Sequence, residues 1–169
     1  MSTAYDVSSA SATNWNRYYQ IEQGQAPQAI RHAWNMTTDT ISGGTPAVGD
    51  TVKLFPLGTV ASNPVTTPYN IQIVIAAWLE CITPIGTGVT VMTVNIGDGA
   101  SATQYFSAYN IFAMTTGQVA MAASTTQKAY QTTDYAIVTI NTVTASGIPA
   151  AGTFVFGVLV MSIPTDSNG

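Results

Sequence analysis

The segment Asn70–Cys81 reads NIQIVIAAWLEC, and it is long, apolar and rich in β-branched residues. Such a composition predicts a β-strand, whose alternation places five side chains on one face: Ile71, Ile73, Ile75, Ala77 and Leu79. A second apolar segment, Thr153–Ile163, reads TFVFGVLVMSI. Both segments are far shorter than the roughly 20 residues of a membrane-spanning helix. Both are apolar on both faces, which is typical of strands that are covered on both sides. The chain's own core would cover one side, and a partner subunit is one candidate for covering the other.

Shorter segments on either side of these two alternate in polarity or carry aromatic residues. They predict strands at residues 29–37, 50–57, 89–96, 103–106, 109–112 and 135–142. Turn residues separate them, and no segment has the roughly 3.6-residue period of an amphipathic helix. Residues 114–128 predict a loop or a short strand. About eight strands with this spacing predict an all-β fold, a single antiparallel β-sandwich with jelly-roll-like connections.

The first residues differ from the rest of the chain. Residues 2–16 are rich in Ser, Thr, Ala and Asn and have no regular apolar period. We expect residues 1–28 to form an extended N-terminal arm and residues 29–169 to form the sandwich domain. Because Trp and Tyr are enriched at the centres of protein interfaces, Trp15, Tyr18 and Tyr19 are candidate anchors on a neighbouring subunit. The alternative is that these aromatic residues cover one end of the chain's own core.

Charged residues make up only 7% of the 169-residue chain, although hydrophobic residues make up 46%. A typical soluble domain has roughly 25% charged residues, so the polar surface here must consist mainly of Thr, Ser, Asn and Gln. Such a surface gives little charge repulsion between copies, which favours subunits that pack against one another. We therefore expect isolated protomers to form homo-oligomers at micromolar concentration, with little sensitivity to salt.

The distribution of charge argues against several classes of partner. The formal net charge is −4, and the basic residues are scattered along the chain: Arg17, Arg31, Lys53 and Lys128. Nucleic acids and anionic membranes bind clustered basic side chains, so we expect neither as a partner. Met1–Ala12 lacks the basic start and apolar core of a secretory signal, and a single cysteine excludes an internal disulfide. We expect a protein made in a reducing cytoplasm.

Chemically reactive side chains are few and do not converge in the sequence. His32 lies in an alternating strand and Cys81 ends the most apolar strand, so we expect both to be structural. Gly97-Asp98-Gly99 lacks the alternating oxygen ligands of a calcium loop and predicts a turn in which Asp98 bonds to its own backbone. A calcium site assembled across loops is the alternative, from Asp39, Asp50 and Asp134. We expect no enzymatic activity, no catalytic residue, no cofactor and no metal.

The order of the turn motifs along the chain resembles that of a known family. Val48-Gly49-Asp50 precedes a strand, Gly97-Asp98-Gly99 forms an internal turn, and the segments at 132–135 (TTDY) and 151–156 (AGTFVF) open late strands. Over roughly residues 30–163 this order resembles the small β-sandwich decoration (cement) proteins of tailed-phage heads. The resemblance implies a jelly-roll-like fold and oligomers, often trimers, that bind the major capsid protein at the capsid surface and reinforce the shell. It brings no catalytic residues.

Two other kinds of function fit parts of the sequence. A phage fibre, a tail subunit or another structural subunit of the head would have the same composition. A carbohydrate-binding β-sandwich would present a flat row of exposed aromatic side chains, whereas Trp15, Trp34 and Trp78 are dispersed in the sequence. The sequence therefore favours a virion protein assembled in the host cytoplasm, and it does not separate decoration from fibre or tail.

Overall fold

The computed structural model describes residues 27–39, 45–58, 70–123, 127–130, 132 and 134–164. Of the proposed arm it covers only residues 27 and 28. Within these ranges the chain forms β-strands and no helix, so none of the described segments is a helix able to cross a membrane. The strands, numbered in chain order, are β1 (Gln28–Asn35), β2 (Thr51–Leu57), β3 (Asn70–Thr83), β4 (Val89–Gly97), β5 (Phe106–Asn110), β6 (Val119–Met121), β7 (Lys128–Tyr130), β8 (Asp134–Ala145) and β9 (Thr153–Pro164).

The strands form two antiparallel sheets that pack face to face, which confirms the prediction of an all-β sandwich. The five-stranded sheet has the order β1-β9-β3-β6, with β7 also paired to β3, and the four-stranded sheet has the order β2-β8-β4-β5. β6 pairs with Trp78–Glu80 and β7 with Gln72–Val74, so the two short strands lie end to end along β3. Each sheet therefore has four strand positions, and their order is that of a jelly roll built from two Greek keys.

The core lies between the sheets and is formed by the inward side chains of both. Phe154, Phe156, Val158 and Val160 alternate along β9 and are buried, and Phe156 is only 1% exposed. Its ring stacks on Phe55 at 5.8 Å between centroids, and it contacts Tyr105 and Phe106 at 5.6 and 6.4 Å. Because these partners come from β2, the start of β5 and the loop before it, one side chain of the five-stranded sheet packs against much of the opposite sheet.

A β-bulge in β3 changes the predicted alternation. The pairing of β3 with β9 shifts register between Val74 and Ala76, so Ile75 is an extra residue. The inward side chains are therefore at even-numbered positions before Ile75 and at odd-numbered positions after it. Val74, Ala77, Leu79 and Cys81 are at most 1% exposed and point into the core. Ile73 instead pairs with Met161 on the opposite, outer face. The prediction that Ile71, Ile73, Ile75, Ala77 and Leu79 share one face is therefore wrong.

The predicted strands at residues 103–106 and 109–112 are replaced by one strand, β5. The residues before it belong to the turn after β4, in which the amide of Tyr105 donates a hydrogen bond to the carbonyl of Ile96 at 2.9 Å. After β5 the amide of Ala113 donates to the Oδ1 of Asn110 at 3.2 Å, and the chain turns. Within residues 114–128 the short strand β6 and the start of β7 agree with the prediction of a loop or a short strand.

Candidate interaction surface

The candidate interface residues from the sequence, Trp15, Tyr18 and Tyr19, lie outside the described residues. The described part of the chain offers a different surface, the side of the five-stranded sheet that faces away from the core. Alternation and strand register place these residues there: Ala29, Arg31 and Ala33 of β1; Val155, Gly157, Leu159 and Met161 of β9; Ile73, Ala76, Trp78 and Glu80 of β3; and Val119 and Met121 of β6. This set is the outer face. Apart from Arg31 and Glu80 the residues of this set are apolar, and the same side of the sheet ends in a polar row formed by Asn35, Thr153 and Thr83.

Paired residues form rows across the outer face. In one row Gly157 of β9 lies between Arg31 of β1 and Trp78 of β3, and Trp78 is opposite Met121 of β6. The next row contains Ala33, Val155, Glu80 and Val119. Side chains that are directly opposite in an antiparallel pair lie close together on one face. The outer face is therefore continuous from β1 to β6.

Gly157 allows the indole of Trp78 to lie across the sheet. A Cβ atom on Gly157 would collide with the ring atoms Cζ2 and Cε2 of Trp78. The ring therefore rests on the backbone of β9, and its upper side is partly exposed to solvent. Trp78 has the largest side chain of the outer face, and its ring packs flat against Gly157, which has no side chain. The middle of this face is therefore flat and apolar.

The most exposed part of the outer face is its β6 side. Val119 is 51% exposed and Met121 is 63% exposed, and both lie beside β3 through their pairing with Glu80 and Trp78. Ile82, at a second register shift near the end of β3, is 43% exposed. Single exposed apolar residues are ordinary on a protein surface, whereas a contiguous group is typical of an interaction site.

The four-stranded sheet has a polar outer side instead. The Nδ2 of Asn141 donates to the Oγ1 of Thr93 at 3.2 Å, and the Nδ2 of Asn95 donates to the Oδ1 of Asn141 at 3.4 Å. The Nζ of Lys53 lies 5.0 Å from the centroid of the Tyr135 ring. These polar groups interact with one another on the surface. Among the described residues the two outer sides of the sandwich therefore differ, and that of the five-stranded sheet is the more apolar.

A buried polar cluster joins the two sheets at one end of the sandwich. Asp98, directly after β4, is 3% exposed. Its Oδ2 accepts hydrogen bonds from the Nζ of Lys128 and the Oη of Tyr130, both at 2.6 Å. Its Oδ1 accepts from the amides of Ala100 and Ser101 at 3.0 and 2.8 Å. These backbone bonds confirm the predicted turn, and the bonds to β7 were not foreseen.

The ionisation of this cluster follows from its surroundings. Burial alone would raise the pKa of Asp98, but the hydrogen bonds from Lys128, Tyr130 and the Ser101 amide outweigh it and lower that pKa below its ordinary value. Burial, together with the bond to the Asp98 carboxylate, raises the pKa of Tyr130. Both oxygens of the carboxylate are thus occupied by donors of this chain. The arrangement fits a structural connection better than a ligand or substrate site.

The other candidate sites from the sequence do not come together. Cys81 is fully buried in β3, as expected of a structural residue, and burial raises the pKa of its thiol. His32 lies on an exposed position of β1 opposite Phe156. Within the described ranges no three His, Cys, Asp or Glu side chains form a group that could hold a metal ion.

The three acids of the alternative calcium site serve three separate turns. Asp39 accepts a hydrogen bond from the amide of Asn35 at 2.8 Å, and Asp50 accepts one from the amide of Ala47 at 2.9 Å. Asp134 accepts from the amide of Gly99 at 2.9 Å. Asp39 and Asp50 bond within their own turns, whereas Asp134 bonds to the turn after β4. The geometry gives no reason to group the three as ligands.

Sequence patterns revealed only part of the interaction surface. The apolar character of both faces of β3 and β9 indicates that a partner covers their outer side, but Val119 and Met121 lie within residues 114–128, for which the sequence predicts only a loop or a short strand. Their signal is the short alternation V-A-M at 119–121. The contact of Trp78 with Gly157 depends on strand register, for which the sequence has no local signal.

No protein-family model matches the sequence, and no curated protein matches it. Among solved structures, a chain of the cyanophage Pam1 capsid asymmetric unit is similar, with a TM-score of 0.57 and 22% sequence identity over 82% of this chain and 86% of that chain. A chain of the capsid of Ralstonia phage GP4 is also similar, with a TM-score of 0.52 and 14% identity over 82% of this chain and 86% of that one. At these identities the likeness concerns the fold: this chain has the sandwich fold of chains found in two phage capsid structures.

Proposed function

We propose that this chain is a structural protein of a phage particle, and more narrowly a decoration subunit that binds the outside of the shell and reinforces it. The observation that carries the proposal is the outer face, a continuous and mainly apolar set of residues on one side of a β-sheet that has two charged members, Arg31 and Glu80. A soluble sandwich gains little from such a face unless another protein covers it. The similar folds in phage capsid structures indicate the kind of assembly in which that cover is found.

The proposal assigns the chain a role in binding rather than in catalysis. Its partners are the major capsid protein and further copies of itself, its location is the capsid surface, and assembly takes place in the host cytoplasm. A fibre or tail subunit is the second candidate, because an apolar sheet face fits a contact within a fibre equally well. The carbohydrate-binding alternative gains no support, since Trp34 is buried at 3% exposure and only Trp78 lies on the outer face among the described tryptophans.

Particles of the source phage provide the test. Mass spectrometry of purified particles should find this chain in a stoichiometric ratio to the major capsid protein, and an electron cryomicroscopy map should show the sandwich on the outside of the shell. Particles without the chain should still assemble, but should release their genome at a lower temperature, and adding the purified protein should restore the original temperature. Absence from the particles would contradict a virion role. Density on the tail, or failure of the shell to form, would contradict decoration.

A further inference from the structure

We infer that the outer face is a self-association surface on which the outer face of a second copy packs, with Arg31 of each copy paired to Glu80 of the other. The inference rests on the proposed function in one respect, that the chain acts as an assembly subunit. It goes further by naming the surface, the occupant and the two charged residues that set their orientation.

The size of the outer face suits a second copy. Four strand positions about 4.8 Å apart and about eight residues long at about 3.4 Å per residue give a face of about 500 Å². Two such faces together bury about 1,000 Å², which is the lower limit of a specific interface. The flat centre made by Trp78 over Gly157 matches the way two sheets pack, at about 10 Å between their planes. A partly exposed tryptophan near the centre is the type of residue that dominates interface energetics.

The two charges make the outer face complementary to itself. Arg31 lies on β1, two strands from β3, and Glu80 lies two residues beyond the row of Arg31. Spacings of about 4.8 Å between strands and about 7 Å between same-face residues put the two positions about 12 Å apart, and the two side chains do not form an ion pair with each other in the structure. Neither side chain has an ion-pair partner among the described residues.

A two-fold axis brings these charges together. When two identical faces pack about an axis in their common plane, each residue i meets residue j of the partner, and j meets i. An axis that crosses the line from Arg31 to Glu80 at its midpoint and at a right angle therefore creates two ion pairs at once. A second copy of the chain provides the matching charges without any further assumption, because it has the same Arg31 and Glu80. A shell protein would need a complementary pattern of its own.

Sedimentation of the full chain over a concentration series tests the inference. The wild type should form a dimer, and Arg31→Glu and Glu80→Arg should each weaken it by about tenfold or more, because each creates two like-charge contacts. The double variant, in which both charges are exchanged, should restore association to near the wild-type value. Met121→Glu, on the exposed β6 side, should weaken it independently. Lys53→Glu, on the polar side of the other sheet, is the matched control and should leave association unchanged.

Three outcomes would overturn the inference. They are a wild type that stays monomeric at high concentration, an oligomer that all these variants leave intact, and a double variant that stays as weak as the single ones. Melting temperatures of each variant show that the comparison is made between folded proteins. A monomer whose attachment to particles is lost in Arg31→Glu would assign the face to the shell instead. Failure of the proposed function is distinguishable, because a dimer with these properties and absent from phage particles contradicts only that proposal.

Discussion

The Nζ of Lys128 on β7 lies 2.6 Å from the Oδ2 of Asp98 at the end of β4, so an ion pair connects the five-stranded sheet to the four-stranded sheet. The Asp98 side chain is fully buried, whereas that of Lys128 is 28% exposed. Removing one partner of such a pair destabilises a protein more than the intact pair stabilises it, because the remaining charge or acceptor loses its compensation. The cluster is therefore a sensitive point of the fold although it lies apart from the outer face.

Asp98→Asn should lower the free energy of unfolding by about 2 kcal/mol at neutral pH. The pKa of Asp98 is lowered in the folded state, so its stabilising effect is present above the unfolded value of about 3.9 and is lost as the pH falls through the folded value. The difference between wild type and variant should therefore be constant from about pH 5 to 7 and shrink below about pH 4. Urea unfolding across this range measures it, with Asp39→Asn as the exposed control. A difference that stays constant down to pH 3 would contradict the role of this carboxylate.

Gly97→Ala should destabilise the protein strongly. A Cβ atom at this position would collide with the carbonyl oxygen of Ser101 and the backbone of Ala102, so the turn that holds Asp98 would have to open. We expect a loss of roughly 3 kcal/mol, the upper range for overpacking. Gly147→Ala is the matched control, because a Cβ there meets no atom within 4 Å. Thermal unfolding of both variants tests this prediction, and Gly97→Ala should have the lower melting temperature. Equal melting temperatures would show that the turn accommodates the added Cβ atom.

The thiol of Cys81 should react only when the protein unfolds. Cys81 is fully buried on β3, and burial raises the pKa of its thiol, which disfavours the reactive thiolate. Labelling with a chromogenic disulfide reagent at pH 8 should be slow in buffer and fast in urea, and its rate should follow global unfolding. Rapid labelling of the folded protein would show instead that β3 opens locally.

The aromatic residues of the arm should contribute to attachment and not to the stability of the sandwich. Replacing Trp15, Tyr18 and Tyr19 together by Ala should leave the melting temperature nearly unchanged and weaken binding to shells or neighbouring copies by about tenfold or more. Ser8, Ser9 and Ser11 replaced by Ala form the control for the same segment. A melting temperature several degrees lower in the aromatic variant alone would mean that these side chains cover the chain's own core.

Local patterns predicted the fold class because alternation and turn residues are properties of short segments. The two apolar runs that form β3 and β9, the Gly97-Asp98-Gly99 turn and the burial of Cys81 all followed from a few neighbouring residues. The bulge at Ile75 did not, since an extra residue in a strand is defined only by its partner strand. The bond between Asp98 and Lys128 likewise joins residues on different sheets. The flat centre of the outer face required the register of Trp78 against Gly157, which no single segment contains.

The pairing of β1 with β9 has a consequence for the timing of assembly. Gln28 is in register with Val160, so the first and last described strands are neighbours, and β9 also separates β1 from β3. Contacts between residues so distant in sequence close a long loop and form slowly. During synthesis, Arg31 and Glu80 cannot occupy a common surface until β9 has left the ribosome and inserted between their strands. A nascent chain would thus lack the self-complementary surface until its body is nearly complete, which delays native association until folding is almost finished.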